Sequence, residues 1–154
     1  MIEVGKKAPH FTLVDGNNQK VSLSDFIGSK VILYFYPKDM TSGCTQEACD
    51  FKEAFPEFSK LKIKVIGISA DSVVSHKKFS DKYNLPFTLL SDENKKVLEK
   101  YCVWKEKSMY GRKFMGIERT TFIIDEMGKI QFIFPKVKVA GHVEEILKTL
   151  KSNK

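Results

Sequence analysis

The run Val31–Tyr36 (VILYFY) constrains this chain most, because all six of its residues are apolar. A strand with no polar position can turn neither face to water, so it belongs in the middle of a sheet covered on both sides. Pro37 stops it, since proline removes a ladder donor. Ile63–Ala70 (IKVIGISA) is a second buried strand. Between the two the periodicity changes. From Gly43 onward Cys44, Ala48, Phe51 and Phe55 fall at i, i+4, i+7 and i+11, which is one face of a helix. Pro56 disfavours helix at the residue before it, so this helix is expected to end or kink near Phe55.

The remaining segments extend the same alternation. Residues 10–14 (HFTLV) and 20–23 (KVSL) read as short strands around the turn Asp15-Gly16-Asn17-Asn18, with Ser24-Asp25 capping a short helical turn before Gly28. Asp71-Ser72 caps a helix running towards Tyr83, Phe87–Leu90 is a short strand, and Asp92 caps a helix carrying Val97, Leu98 and Tyr101. Residues 102–118 (CVWKEKSMYGRKFMGIE) read as a longer irregular stretch of the kind that is often functional, with room for a short strand at no assignable position. Thr120–Asp125 (TTFIID) and Lys129–Phe134 (KIQFIF) flank the hairpin turn Glu126-Met127-Gly128. Val143, Ile146, Leu147 and Leu150 line a last helix. Strands alternating with helices, plus a late antiparallel hairpin, imply an α/β fold with a central mixed sheet flanked by helices, an order that fits thioredoxin-like architecture. At 154 residues, 1–154 is expected to be one domain.

Several function classes fall away. The net charge of +7 comes from dispersed lysines with no block of five or six, which is a solvated surface rather than a nucleic-acid footprint. No apolar run approaches the 18 residues of a membrane span. The N-terminus (MIEVGKKAPHF) has no apolar signal region, which points to the cytoplasm. In that reducing compartment three cysteines, Cys44, Cys49 and Cys102, do not form a disulfide scaffold, and thiols that pair do so transiently. Metal binding finds no recognised spacing, because CxxxxC with the isolated His10, His76 and His142 supplies no fourth ligand, and nothing calls for a cofactor.

Cys44 is the chemical focus. The segment Thr41–Gln46 (TSGCTQ) opens the first long helix, so Cys44 lies in a first turn whose unpaired N–H groups and positive dipole end favour an anion. The anion a cysteine offers is thiolate, its nucleophilic form. Cys49 is five positions further on, about 7.5 Å and 140° round an ideal helix, which places the two Cα atoms about 8.6 Å apart. A disulfide needs about 4.4–6.8 Å. Either the pair never forms or the first turns open. Read as a small buried hydrophobe, a cysteine suits Cys102 beside Tyr101 and Val103, but suits Cys49 poorly on a polar helix face.

YPKDMTSGCTQEAC (Tyr36–Cys49) resembles the active-site segment of the peroxiredoxins, with Pro37, Thr41, Cys44 and Glu47 on the signature positions. The second cysteine resembles the bacterioferritin-comigratory (Q) class, and the likeness extends through APHFTL, VILYFYPKD, IGISADS, YGRKFMGIERTTFIID and GHVEEIL. The resemblance implies a thioredoxin-like peroxiredoxin fold and a thiol peroxidase acting on hydrogen peroxide and organic hydroperoxides. Cys44 is then the peroxidatic cysteine and becomes a sulfenic acid. Thr41 hydrogen-bonds the peroxide, Arg119 holds the thiolate and the developing charge, Pro37 shields the pocket, and Glu47 orients charged neighbours. Cys49 is the resolving cysteine, and thioredoxin or a similar dithiol reduces the resulting disulfide. The class is often monomeric.

The sequence departs from the class pattern at three positions, with Ser42 in place of a common proline, His10 in place of a frequent aspartate, and Cys102 where glycine is common. Two other classes stay open on residues alone: a peroxide sensor or redox relay, and a thioredoxin-fold binding module without catalysis.

Overall fold

A computed structural model of the chain describes residues 2–152. The expected central run forms β3 (Lys30–Phe35), with every residue after Lys30 buried. It pairs in parallel with β4 (Ile63–Ser69) and antiparallel with β8 (Thr120–Ile124). Outward from β4 lie β5 (Thr88–Ser91), β1 (Thr12–Asp15) and β2 (Lys20–Ser22), and outward from β8 lies β9 (Ile130–Phe134). The result is one mixed seven-stranded sheet, as anticipated.

The pleat of β3 sends Val31, Leu33 and Phe35 into one apolar layer with Phe122, Leu98 and Tyr101. It sends Ile32, Tyr34 and Tyr36 into the other, with Phe51, Phe58, Phe79 and Ile146. Helices α1 (Ser42–Lys60), α2 (Val73–Tyr83) and α4 (His142–Ser152) carry the second layer's apolar side chains, while α3 (Lys96–Lys100) contributes to the first. Both faces of the sheet are therefore covered. No helix among the described residues is long and apolar enough to cross a membrane.

Several local expectations are corrected. Helix α1 does not end near Phe55 but runs through Pro56 to Lys60. Proline forfeits the bond its N–H would make to the Lys52 carbonyl, and complete burial of Phe58 beyond it contributes about 1.5–3 kcal/mol against that loss. Residues 102–118 go beyond the one short strand allowed for there. They hold β6 (Trp104–Met109) and β7 (Arg112–Ile117), a separate antiparallel ribbon. Its turn is Tyr110-Gly111, both at positive φ (53° and 76°), the backbone of a tight two-residue hairpin. Cys102 is not buried but exposed, at φ 59°. That left-handed conformation explains why glycine suits the position.

The caps are also redistributed. Ser72 does cap α2, accepting from the Ser75 N–H at 3.1 Å. The short 3₁₀ turn Leu23–Phe26 begins earlier than expected, capped at Ser22, whose N–H donates to Asp25 Oδ2 at 2.9 Å. Asp92 precedes α3 by several residues and accepts instead from the Leu98 N–H inside it, at 2.8 Å.

Candidate active site

The end of β3 and the start of β8 are neighbours because these strands run antiparallel, with Phe35 opposite Thr120. The segment leaving β3 therefore meets the segment entering β8. The first of these is the loop 37–41 with the opening turn of α1; the second ends in Arg119.

Thr41 occupies the N-cap with extended backbone (φ −78°, ψ 155°), and the Thr45 N–H closes the first helical turn on its carbonyl at 2.8 Å. Its hydroxyl does not cap the helix. It donates back to the Lys38 carbonyl at 2.7 Å, so its lone pairs, not its proton, are offered outward. Cys44 is the third helical residue, 1% exposed, packed in the layer that holds Tyr34 and Tyr36. Its backbone lies in the turn whose N–H groups have no helical acceptor.

Arg119 bridges the site. Nη2 donates to Cys44 Sγ at 3.3 Å and Nη1 to Glu47 Oε1 at 2.6 Å. Its backbone is held from the other side by the Val137 N–H, which donates to the Arg119 carbonyl at 2.8 Å. Burial alone would lower the guanidinium, but Glu47 and Cys44 more than offset that and hold it above its ordinary value. Glu47 is fully buried, and burial pushes its carboxyl up to about 7 against the pull of Arg119. Glu47 Oε2 has no partner among the described residues. Glu47 is thus the inner end of a Cys44–Arg119–Glu47 line.

The other expected residues lie nearby. Pro37 is half-buried at the end of β3, and Tyr36 before it donates its N–H to the Ile68 carbonyl at 3.1 Å. Cys49 is half-buried on the same unbroken helix as Cys44, and both are free thiols. The anticipated conflict between helix and disulfide is therefore real.

Two groups escape a reading of the sequence. Lys107 on β6 is lowered by burial and then by Arg119, with Cys44 pulling the other way, so the ribbon brings an extra cation within electrostatic reach of the thiol. Asp39, His76 and Asp71 gather three potential ligand atoms within 4.8 Å of one another. These atoms are engaged by protein partners, Asp71 Oδ2 by the Asp39 N–H and Ser69 hydroxyl, and Asp39 by Tyr36, Ser75 and His76. The cluster is a hydrogen-bond network rather than an open metal cage. A buried histidine three residues before buried Phe79 on α2 is its only sequence signal.

Known proteins resemble this chain over most of its length. The AhpC/TSA family model matches residues 4–133. The chain is 50% identical to peroxiredoxin Bcp of Bacillus subtilis over 97% of this chain and 96% of that protein. Peroxiredoxin Bcp of Escherichia coli K12 is 42% identical over 99% and 97% of the two chains. Among solved structures, the bacterioferritin comigratory protein of Xanthomonas campestris, studied for its alkyl peroxide reduction activity, superposes with a TM-score of 0.90 at 38% identity, covering 97% of this chain and 98% of that one.

Proposed function

The chain belongs to the AhpC/TSA family as a peroxiredoxin of the Bcp (Q) class with a thioredoxin-like fold, a thiol peroxidase that reduces peroxides, and on that premise we propose a residue-level cycle. The observation that carries it is the Arg119 bridge from Cys44 Sγ to Glu47 at the start of α1.

Cys44 thiolate attacks the terminal oxygen of hydrogen peroxide or an organic hydroperoxide. The O–O bond breaks, Cys44 becomes a sulfenic acid, and the departing alkoxide or hydroxide takes a proton to leave as alcohol or water. Thr41, its own proton committed to Lys38, accepts from the peroxide O–H and aligns the bond. Arg119 stabilises first the thiolate and then the charge growing on the leaving oxygen, and it is pre-aimed because Glu47 holds its other nitrogen. Pro37 shields the pocket from water. Cys49 then attacks the sulfenic sulfur, expels water and forms an intramolecular disulfide, which thioredoxin or a similar dithiol reduces by exchange. The reading takes residues 1–154 as one domain, the protein as a cytoplasmic monomer, and needs neither metal nor cofactor.

Intact mass under non-reducing conditions after one equivalent of peroxide tests the cycle. The expected product has lost two hydrogens through a Cys44–Cys49 link. A link that persists in Cys49→Ser would assign resolution to Cys102 instead. Unchanged peroxide consumption by Cys44→Ser would end the reading, and very low steady-state turnover with a thioredoxin system would favour a sensor or relay.

A further inference from the structure

If the first turns of α1 open during the cycle, the chain needs a fixed point from which that turn is rebuilt each time. The contacts of Asp39 supply one. This residue lies in the loop between β3 and α1, is 5% exposed, and yet carries an ionisable side chain. A buried carboxylate is costly unless donors converge on it, and here three do. The Tyr36 hydroxyl donates to Oδ1 at 2.6 Å, the Ser75 hydroxyl donates to Oδ2 at 2.8 Å, and His76 Nδ1 faces Oδ2 at 2.7 Å. The Asp39 N–H donates in turn to Asp71 Oδ2 at 2.7 Å.

The location of these partners matters more than their number. Tyr36 continues β3, Asp71 lies just after β4, and Ser75 and His76 lie on α2. His76, itself wholly buried, is tied onward through Nε2 to the Leu90 carbonyl of β5 at 2.9 Å. None of these partners belongs to α1. The loop is fastened to the ends of β3 and β4 and to α2, all elements other than α1. Immediately beyond the anchor, Met40 takes φ 67°, a left-handed conformation that a residue other than glycine rarely adopts and that persists only where its surroundings impose it. Thr41 and the helix come directly after it.

We propose that Asp39, clamped by His76, is the pivot that returns Thr41 and the Cys44 turn to one position after every opening, making the two of them positioning residues for the peroxidase reaction. This role rests on the proposed peroxidase cycle. It also separates two steps. Attack on peroxide needs the rebuilt turn, whereas disulfide formation uses the opened one, so loosening the pivot slows the first and spares the second.

Two substitutions at one position test this. His76→Asn retains a nitrogen where Nδ1 meets Asp39 and gives up the Leu90 contact; His76→Gln does the reverse. Single-turnover oxidation, quenched with an alkylating reagent and read by intact mass, gives both rates. Oxidation of Cys44 is expected to slow about tenfold or more in His76→Gln and to stay near the wild-type value in His76→Asn, with resolution by Cys49 changed little in either. Equal oxidation rates in the two variants, or resolution slowed as much as oxidation, would overturn the pivot. If either histidine variant fails to fold by circular dichroism, Ser75→Ala, which removes one donor from Asp39, carries the same comparison with a smaller slowing of oxidation alone. Wild-type protein that consumes no peroxide would refute the peroxidase cycle itself; active wild type with an unaffected His76→Gln refutes only the pivot.

Discussion

Arg119 reaches Cys44 Sγ at 3.3 Å across 75 residues of sequence, and the contact exists only because β8 begins where β3 ends. The guanidinium fork is divided, one nitrogen on sulfur and the other on Glu47. A lysine offers a single point charge and cannot do both.

Arg119→Lys and Arg119→Met are therefore expected to slow the reaction of Cys44 with hydrogen peroxide, the methionine variant by about 10²–10³-fold and the lysine variant by less. Second-order rate constants from rapid mixing check this. A methionine variant within about fivefold of wild type would show that the helix terminus alone activates the thiol.

Glu47 makes stability depend on pH in a definite direction. Its carboxyl moves from an ordinary 4.5 to about 7 on folding, chiefly through burial, so between those values the folded chain binds the proton and the unfolded chain does not. The stability it contributes is present below 4.5 and is lost as pH rises to about 7, by up to about 3 kcal/mol. Urea unfolding of wild type and Glu47→Gln across this range should show their difference moving against the wild type as pH rises, then levelling above 7. A difference that moves the other way would mean that Arg119 outweighs burial.

Gly43 sits in the turn that opens in the proposed cycle. An added Cβ there meets only Arg119 Nη2 at 3.4 Å, an ordinary contact, so Gly43→Ala fits the folded turn and stiffens it by about 0.5–1 kcal/mol. Disulfide formation is expected to slow several-fold, while sulfinic acid accumulates sooner under excess peroxide. Mass spectrometry of the two products decides it. Unaltered rates for both would indicate that opening of 42–49 does not limit resolution.

The buried strands were legible because apolar runs such as VILYFY have one physical solution, and the start of α1 because its periodicity changes where a breaker ends. Pro56 misled because a local rule lost to the burial of Phe58 beyond it. The ribbon at 104–117 could not be placed for a different reason. Both of its faces are largely exposed, so no apolar alternation marks them, and Tyr110-Gly111 is a weaker turn signal than Asn-Gly. In the site, Cys44 could be argued from its own neighbours. Arg119 could not, since only a family pattern links residues so far apart, and the Asp39–His76 clamp joins a residue of the quoted segment to a histidine outside it.

Strand order has one further consequence, which concerns the chain while it is being made. Cys44 leaves the ribosome 75 residues ahead of Arg119, and β8 must insert beside β3 before the guanidinium meets the sulfur. A growing or truncated polypeptide thus carries a Cys44 thiol that the Arg119 guanidinium has not yet reached. On the proposed cycle, oxidation therefore becomes fast only once the sheet is complete, in a molecule already folded well enough to carry the rest of the cycle.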